Sequence, residues 1–165
     1  MERALCLSAT FLSGYYHGEE WPPSPGRVIR GIVAGVKNCG DIALWQTTER
    51  VLRWIEEQHP PRILAREPRS LTPYTLFVPN NDFDKVAESW LKGDAGDPGS
   101  IRTAKRVEPK RIDQGPPHVR YVWPVDGRVD CESLVADFRS AAHRLTALGW
   151  GIDMAFADVA DSVTA

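Results

Sequence analysis

The sequence is poor in the residues that build metal centres and disulfide frameworks. Among its 165 residues are three cysteines and four histidines, all of them scattered along the chain. Cys6, Cys39 and Cys131 are odd in number and show no paired spacing, which argues against both a zinc site and a disulfide scaffold. We therefore expect reduced thiols in a cytoplasmic protein, with neither a metal ion nor another cofactor.

The chain also lacks a bulk positive charge and a long apolar run. Twenty Lys and Arg residues stand against 22 Asp and Glu, a formal net charge of −2 at pH 7, so any site for a polyanion must be local. No apolar stretch approaches transmembrane length, and Ser8 and Thr10 interrupt the apolar start, which favours a strand over a secretory signal. Neither a phosphate-binding glycine loop nor a serine nucleophile elbow is present. The apolar fraction of 42% and the six tryptophans predict one folded domain over residues 1–165.

The order of the predicted elements is that of an α+β, ferredoxin-like (RRM-like) βαββαβ fold with an extra helix. Hydrophobic periodicity, caps and turn residues predict strands at residues 4–12, 63–64, 74–78, 118–123 and 152–156, and helices at residues 25–37, at residues 47–58, and from Asp130 or Ser133 to Leu148. The stretch of residues 80–117 has no clear periodicity. It is predicted as an insertion between the middle strands.

Gly14 and Gly18 bracket Tyr15, Tyr16 and His17 directly after the first predicted strand. Glycines in these positions predict a loop, which we call the aromatic loop (residues 14–18). Its rings would suit single-stranded RNA, whose splayed bases stack on aromatic side chains. Packing of the same rings against the protein core is the alternative.

Positive charge is concentrated late in the predicted insertion. From Ser100 to Arg120, six Lys and Arg residues stand against Glu108 and Asp113, so the segment carries a formal charge of +4 and the remainder of the chain −6. This separation favours a polyanion site on a single feature. A solvated loop whose charges serve solubility is the alternative. The six basic residues are Arg102, Lys105, Arg106, Lys110, Arg111 and Arg120.

Several motifs make the chain similar to a known family. The most specific is Tyr16-His17 followed by the sequence EWPPSPGR at residues 20–27. Weaker matches follow in the same order at residues 52–56, 61–64, 77–82, 121–124 and 148–153. Together they resemble the CRISPR-associated RAMP superfamily, and within it the fused handle-binding and processing subunit of type I-U (I-G) systems. The resemblance covers nearly the whole chain, but only the amino-terminal, handle-binding half of the family pattern, so the carboxy-terminal processing domain is expected to be absent.

The resemblance implies a non-catalytic subunit of a type I-U interference (Cascade-like) complex, which holds the 5′ handle of the crRNA and caps the backbone filament. Its partners would be the crRNA, the backbone and large subunits, and a processing-nuclease domain. The insertion lies where the family carries a thumb that clasps RNA, and Gly149-Trp150-Gly151 lies where relatives carry a glycine-rich loop, although a helix C-cap explains it equally well. The residues predicted to bind RNA are Arg102, Lys105, Arg106, Lys110, Arg111, Arg120, Tyr15, Tyr16, His17, Arg27, Arg30, Gly149 and Gly151.

Two other functions stay open at this stage. A metal-independent endoribonuclease that processes CRISPR repeats would need a base near a 2′-hydroxyl, and His17, Tyr16 and Lys105 could supply such a set. A protein–protein adaptor that binds no RNA would use the face of the first helix at Gly31, Ala34 and Gly35, since small residues there let another backbone approach.

Overall fold

The computed structural model describes residues 2–79, 91–93, 102–112, 115–126 and 130–164. Within these ranges lie three helices and nine strands. The helices are α1 (Pro25–Cys39), α2 (Ile42–Glu56) and α3 (Cys131–Ala142). The strands are β1 (Glu2–Phe11), β2 (Tyr15–Tyr16), β3 (Arg62–Ala65), β4 (Arg69–Ser70), β5 (Tyr74–Pro79), β6 (Arg102–Val107), β7 (Lys110–Arg111), β8 (Val119–Pro124) and β9 (Ala155–Thr164).

Four strands form the main sheet in the order β3-β8-β1-β9, and every neighbouring pair is antiparallel. In chain order these are the first (β1), second (β3), third (β8) and fourth (β9) strands of a βαββαβ unit, with α1 and α2 in the first crossover and α3 in the second. The predicted α+β, ferredoxin-like (RRM-like) fold with an extra helix is confirmed.

The core lies between the main sheet and the three helices. Because successive strand residues point to opposite faces, Leu5 and Leu7 of β1 face the helices, as do Tyr121 and Trp123 of β8, and all four are buried. The apolar stripe of α1, centred on Ile32, packs into the same cluster. Tyr121 and Trp123 therefore belong to the core and not to an exposed face of the sheet.

The second strand of the main sheet is β3 alone, and the predicted strand at residues 74–78 lies elsewhere. That segment is part of β5, which pairs with β6 as a separate two-stranded ribbon. The chain between β3 and β8, residues 66–118, is called the arm here; it contains the predicted insertion. Residues 80–90, 94–101 and 113–114 of the arm lie outside the described residues. Strand propensity alone does not select a pairing partner, which explains the wrong assignment.

Two helix boundaries differ most from the predictions. Helix α2 begins at Ile42 instead of residue 47, because the Asp41 carboxylate accepts a hydrogen bond from the Leu44 amide (3.0 Å) and caps the helix. Helix α3 is capped by Asp130 and ends at Ala142, well before Leu148. Leu148 is nevertheless buried, as part of the segment that leads into β9.

The last strand presents its faces differently from what the apolar pattern indicates. The pattern at Ile152, Met154 and Phe156 predicts a strand at residues 152–156, but β9 begins only at Ala155, so Ile152 and Met154 precede it. All three side chains are about half exposed. The small residues Ala155 and Ala157 point into the core instead. Small side chains on this edge strand let α3 pack closely against it.

The bare face of α1 is occupied by the chain itself. A methyl group at Gly31 would press on Leu145, and one at Gly35 would overlap the backbone carbonyl of Arg144. The expectation that a backbone approaches this face is confirmed, but the backbone belongs to the segment between α3 and β9. The surface suggested for a protein adaptor is therefore already covered. In the part of the chain that the structure describes, no helix is both long and apolar enough to span a membrane.

Candidate nucleic-acid interface

The base of the arm is fixed to the aromatic loop. Strand β7 lies between β2 of the aromatic loop and β4 of the arm in a three-stranded sheet. The Ile112 amide extends the contact by donating to the Gly14 carbonyl at 2.8 Å, and the Leu71 amide donates to the Pro109 carbonyl at 2.9 Å. Two features that are far apart in sequence, the aromatic loop and the basic cluster, thus meet at one point of the fold.

Lys110 holds this junction together. Its Nζ donates hydrogen bonds to the carbonyl oxygens of Gly18 (3.0 Å) and Glu19 (3.2 Å), and it lies 5.9 Å from the centre of the Tyr16 ring. A charge-assisted hydrogen bond to a carbonyl is stronger than one between neutral groups. Lys110, which the sequence analysis predicts to bind RNA, therefore connects the aromatic loop to the arm through hydrogen bonds.

Tyr16 belongs to the core rather than to an exposed stacking surface. It is fully buried, and its ring packs edge-on against Phe11 and Trp21, with ring centres 5.4 Å and 5.2 Å away. Burial raises the pKa of its phenol above the usual value. Its hydroxyl has no hydrogen-bond partner among the described residues. Of the two loop tyrosines only Tyr15, 39% exposed, presents ring surface to solvent.

His17 is held by a buried carboxylate that sequence reasoning missed. The carboxylate of Asp153 is fully buried and accepts hydrogen bonds from the His17 amide (3.1 Å), from His17 Nδ1 (2.6 Å) and from the Trp150 amide (2.9 Å). Three donors offset the cost of burying this carboxylate. The available signal was an aspartate inside the apolar segment that follows Gly149.

The two glycines predicted to approach RNA have different surroundings. Gly149 has a φ of +117°, and a methyl group there would lie 2.6 Å from Asp153 Oδ2 and 2.7 Å from Tyr16 Cε2. It is needed for close packing over Asp153 and Tyr16. A methyl group at Gly151 would meet no atom within 4 Å, so Gly151 is the one of the two that borders open space.

The β5–β6 ribbon combines an exposed aromatic ring with exposed cations. Phe77 is 64% exposed and pairs with Ala104, and its neighbour Thr75 pairs with Arg106. Lys105 and Arg106 are both exposed, and the backbone of Arg102 continues the ribbon opposite Pro79. Because directly paired residues share a face, Phe77 and Arg106 are diagonal neighbours on one side of the ribbon. Proteins that bind single-stranded nucleic acid combine such aromatic rings with such cations.

The ribbon cations are only weakly neutralised. Arg106 Nε lies 3.2 Å from Glu108 Oε1, and both side chains are largely exposed. Exposed pairs of this kind contribute about 0–1 kcal/mol. An incoming phosphate could therefore replace Glu108 at little cost.

Comparison with known protein families shows which family the chain belongs to. The model of the CRISPR-associated protein, GSU0054 family, matches residues 14–165. The chain belongs to the GSU0054 family. The description of this family links the chain to CRISPR systems. No curated protein matches the chain. Among solved structures it is similar to a CRISPR protein from Archaeoglobus fulgidus, at 13% sequence identity and a TM-score of 0.41, over 98% of this chain and 64% of that chain.

The predicted basic cluster of the GSU0054-family chain is divided among three places. Arg102, Lys105 and Arg106 are on the ribbon, Lys110 and Arg111 are at the base of the arm, and Arg120 is on the main sheet. Arg111 is exposed and pairs with Tyr15 in the strand register. The expectation of a single projecting basic arm is therefore too simple, because β8 carries Arg120 back into the main sheet.

The two predicted arginines of α1 are partly engaged. Arg30 is exposed, and its Nε donates to the Gly26 carbonyl at 3.0 Å. Arg27 is half-buried, and its Nε has no hydrogen-bond partner among the described residues. Both are near the start of α1, which follows the aromatic loop.

The three residues of the endoribonuclease alternative lie in two separate parts of the GSU0054-family chain, with Tyr16 on β2 and Lys105 on β6. His17 and Tyr16 are adjacent, but the Tyr16 hydroxyl is buried. The lysine near the Tyr16 ring is Lys110, whereas Lys105 lies on the ribbon. What the structure does provide is an imidazole oriented by Asp153.

Proposed function

We propose that this GSU0054-family chain binds CRISPR RNA through its arm and does not cleave it. In this proposal it is the handle-binding subunit of a type I-U interference complex, where it holds the crRNA 5′ handle and caps the backbone filament in the cytoplasm. Its partners would be the backbone and large subunits and a processing-nuclease domain. Family membership supports a role in a CRISPR system, and the resemblance of its motifs supports the finer assignment.

The exposed face of the β5–β6 ribbon is the observation that carries the proposal. A guanidinium group such as that of Arg106 can form two parallel hydrogen bonds with a phosphate. A ring such as Phe77 can stack on a base, which contributes about 1–3 kcal/mol per base in single-strand complexes. Since these groups are diagonal neighbours, one nucleotide could engage both.

The contacts at the base of the arm hold the β5–β6 ribbon in a defined position, where its exposed face can bind RNA. An isolated two-stranded ribbon is only marginally stable in water. Here the chain on both sides of the ribbon is tied to the body through the β2-β7-β4 sheet and Lys110. Outside residues 100–120 the chain carries a formal charge of −6, so a polyanion is attracted to the local cations and not to the molecule as a whole.

The proposal is tested by binding of single-stranded repeat RNA, followed by fluorescence anisotropy. Replacing Lys105 and Arg106 together with alanine should weaken binding by at least about tenfold, the equivalent of one charge-assisted hydrogen bond. The matched control is Arg50→Ala with Arg53→Ala, which removes the same charge from exposed, ion-paired residues of α2. Equal losses in both variants, or no loss in the ribbon variant, would overturn the proposal.

A second candidate is the metal-independent endoribonuclease, and the His17–Asp153 pair is the observation that favours it. A carboxylate at 2.6 Å from Nδ1 orients an imidazole as it does in acid–base catalysis. Incubating the protein with repeat RNA and EDTA separates the two functions. We expect no specific product. A product that forms with the natural protein and is lost in His17→Ala would establish the nuclease instead.

A further inference from the structure

A groove crosses the face of the main sheet that is turned away from the three helices. It consists of two clefts, of about 430 Å³ and 520 Å³. Both are lined by Leu64, Arg120, Pro116 and Pro117, so they meet and form one continuous depression. Each is within the range of about 300–1,000 Å³ that is typical of sites for small ligands.

The floor of the groove comes from the sheet and one wall comes from the arm. Cys6, Ser8 and Thr10 of β1 alternate with the buried residues of that strand, so they face the groove. Pro116 and Pro117, at the end of the arm, form the wall. The groove therefore lies between the arm and the open side of the sheet.

The charges around the groove are mainly positive. Arg62 and Arg120 are exposed there, two positions apart in the β3–β8 register, and Arg66 lines the first cleft. Among the described residues, no carboxylate forms an ion pair with Arg62 or Arg120. Glu67 is the acidic residue among the described lining of the clefts.

Strand β9, at the edge of the sheet next to the groove, carries a carboxylate that does not neutralise the groove arginines. Asp158 is opposite Ser8 in the β1–β9 register. Its carboxylate, however, lies 3.1 Å from His143 Nε2 and 3.2 Å from Arg139 Nε, both on the side of α3. The second cleft consequently contains two guanidinium groups and no carboxylate among its described lining residues.

We propose that this groove is a second RNA site, which takes nucleotides of the same strand that the arm holds. Arg62 and Arg120 would pair with phosphates. The hydroxyl groups of Ser8 and Thr10 would face the ribose or base edges, where a 2′-hydroxyl can both donate and accept. Leu64, 42% exposed, and the two prolines would give apolar contact to a base. The proposal rests on the RNA-binding function proposed above and adds a surface outside the ribbon and the aromatic loop.

Continuity with the arm favours RNA over an acidic protein segment. Arg111 of β7 is followed by Ile112, which lines the first cleft, and Pro116 and Pro117 line both clefts. The basic base of the arm and the basic groove therefore adjoin along the chain. A polyanion with evenly spaced charges can engage both, since each nucleotide carries one phosphate.

The test is photo-crosslinking of the full chain with single-stranded repeat RNA that contains 4-thiouridine, with crosslinked peptides identified by mass spectrometry. Crosslinks are expected on the groove peptides, residues 62–66 and 115–122, as well as on the ribbon. Replacing Arg62 and Arg120 together with alanine should remove the groove crosslinks, keep those on the ribbon and weaken binding about tenfold. Arg120→Lys in place of Arg120→Ala keeps the charge, so it should retain part of the affinity that the double alanine variant loses. The Arg50/Arg53 double variant should behave as the natural protein.

The outcomes separate this inference from the proposed function. If the groove variant binds and crosslinks as the natural protein does while the ribbon variant fails, the groove inference is overturned and the function stands. Without any saturable binding of repeat RNA by the natural protein, the proposed function falls and the groove proposal falls with it. Binding of RNA that leaves the groove peptides free of crosslinks, while another subunit protects them, would make the groove a protein contact and overturn the inference.

Discussion

His17 Nδ1 lies 2.6 Å from Oδ1 of Asp153, a residue 136 positions later in the chain. The pair joins the aromatic loop after β1 to the turn before β9. Because Asp153 also accepts from the Trp150 amide, one buried carboxylate positions both segments. The aromatic loop, which pairs with the base of the arm, is therefore held in place by the buried carboxylate of Asp153.

Asp153→Asn should destabilise the fold. The amide cannot replace all the acceptor contacts of the carboxylate, and hydrogen bonds to charged groups contribute about 1.5–3 kcal/mol each. We expect a loss of about that size in the free energy of unfolding, measured with urea. The control is Asp158→Asn, whose exposed carboxylate pairs with Arg139 and His143 and should cost about 1 kcal/mol or less. Equal effects would contradict a structural role for Asp153.

Tyr16→Phe and Tyr121→Phe should have opposite effects. The buried Tyr16 hydroxyl has no hydrogen-bond partner among the described residues, so its removal should leave stability unchanged or raise it by about 1 kcal/mol. The Tyr121 hydroxyl donates to the Pro23 carbonyl at 2.7 Å. Its removal leaves a buried acceptor unpaired, which costs about 1–3 kcal/mol. Thermal and urea unfolding of both variants checks this, and a similar loss in each would show that the Tyr16 hydroxyl has a partner.

Gly35→Ala should destabilise α1 against the segment that follows α3. The added methyl group would overlap the Arg144 carbonyl, which is backbone and cannot rotate away. Overpacking of this kind typically costs about 1–3 kcal/mol. Gly26→Ala in the first turn of the same helix is the matched control, since its methyl group meets no atom within 4 Å. The control should be neutral or stabilising by up to about 1 kcal/mol, and destabilisation by both variants would refute the packing explanation.

Lys110→Met should loosen the base of the arm without removing a phosphate contact. Its Nζ bonds to the carbonyls of Gly18 and Glu19 would be lost. Hydrogen exchange at the Ile112 amide, which donates to Gly14, should accelerate because the β2–β7 junction opens more often. Lys105→Met should show the reverse pattern, with normal exchange at Ile112 and a smaller salt dependence of RNA binding. Normal exchange in both variants would show that Lys110 does not lock the junction.

The sequence predicts β1 and β8 of the main sheet well, because β1 is a continuous apolar run and β8 combines alternation with turn signals at both ends. It fails where the same local pattern has two possible partners. The segment of residues 74–78 reads as a strand in either setting, and only the tertiary pairing assigns it to the ribbon. The start of β9 is a similar case, since the exposed Met154 and Phe156 carry the larger side chains while Ala155 and Ala157 are buried.

The candidate site could be predicted only in part. Spacing identifies the aromatic loop and the basic residues, but not that Lys110 would be turned toward Gly18, nor that Tyr16 would be enclosed. Asp153 could not be connected to His17 because the two are far apart in sequence and no spacing rule links their motifs. Such pairings depend on the sheet order, which brings the end of β1 next to the start of β9.

The salt dependence of RNA binding tests the central claim most directly. The affinity for single-stranded repeat RNA is measured over a range of salt concentrations for the natural protein and for the Lys105→Ala, Arg106→Ala double variant. Each phosphate contact contributes about 0.7 to the slope of log affinity against log salt, so the variant slope should be shallower by about 1.4. Identical slopes for the two proteins would contradict RNA binding by the ribbon.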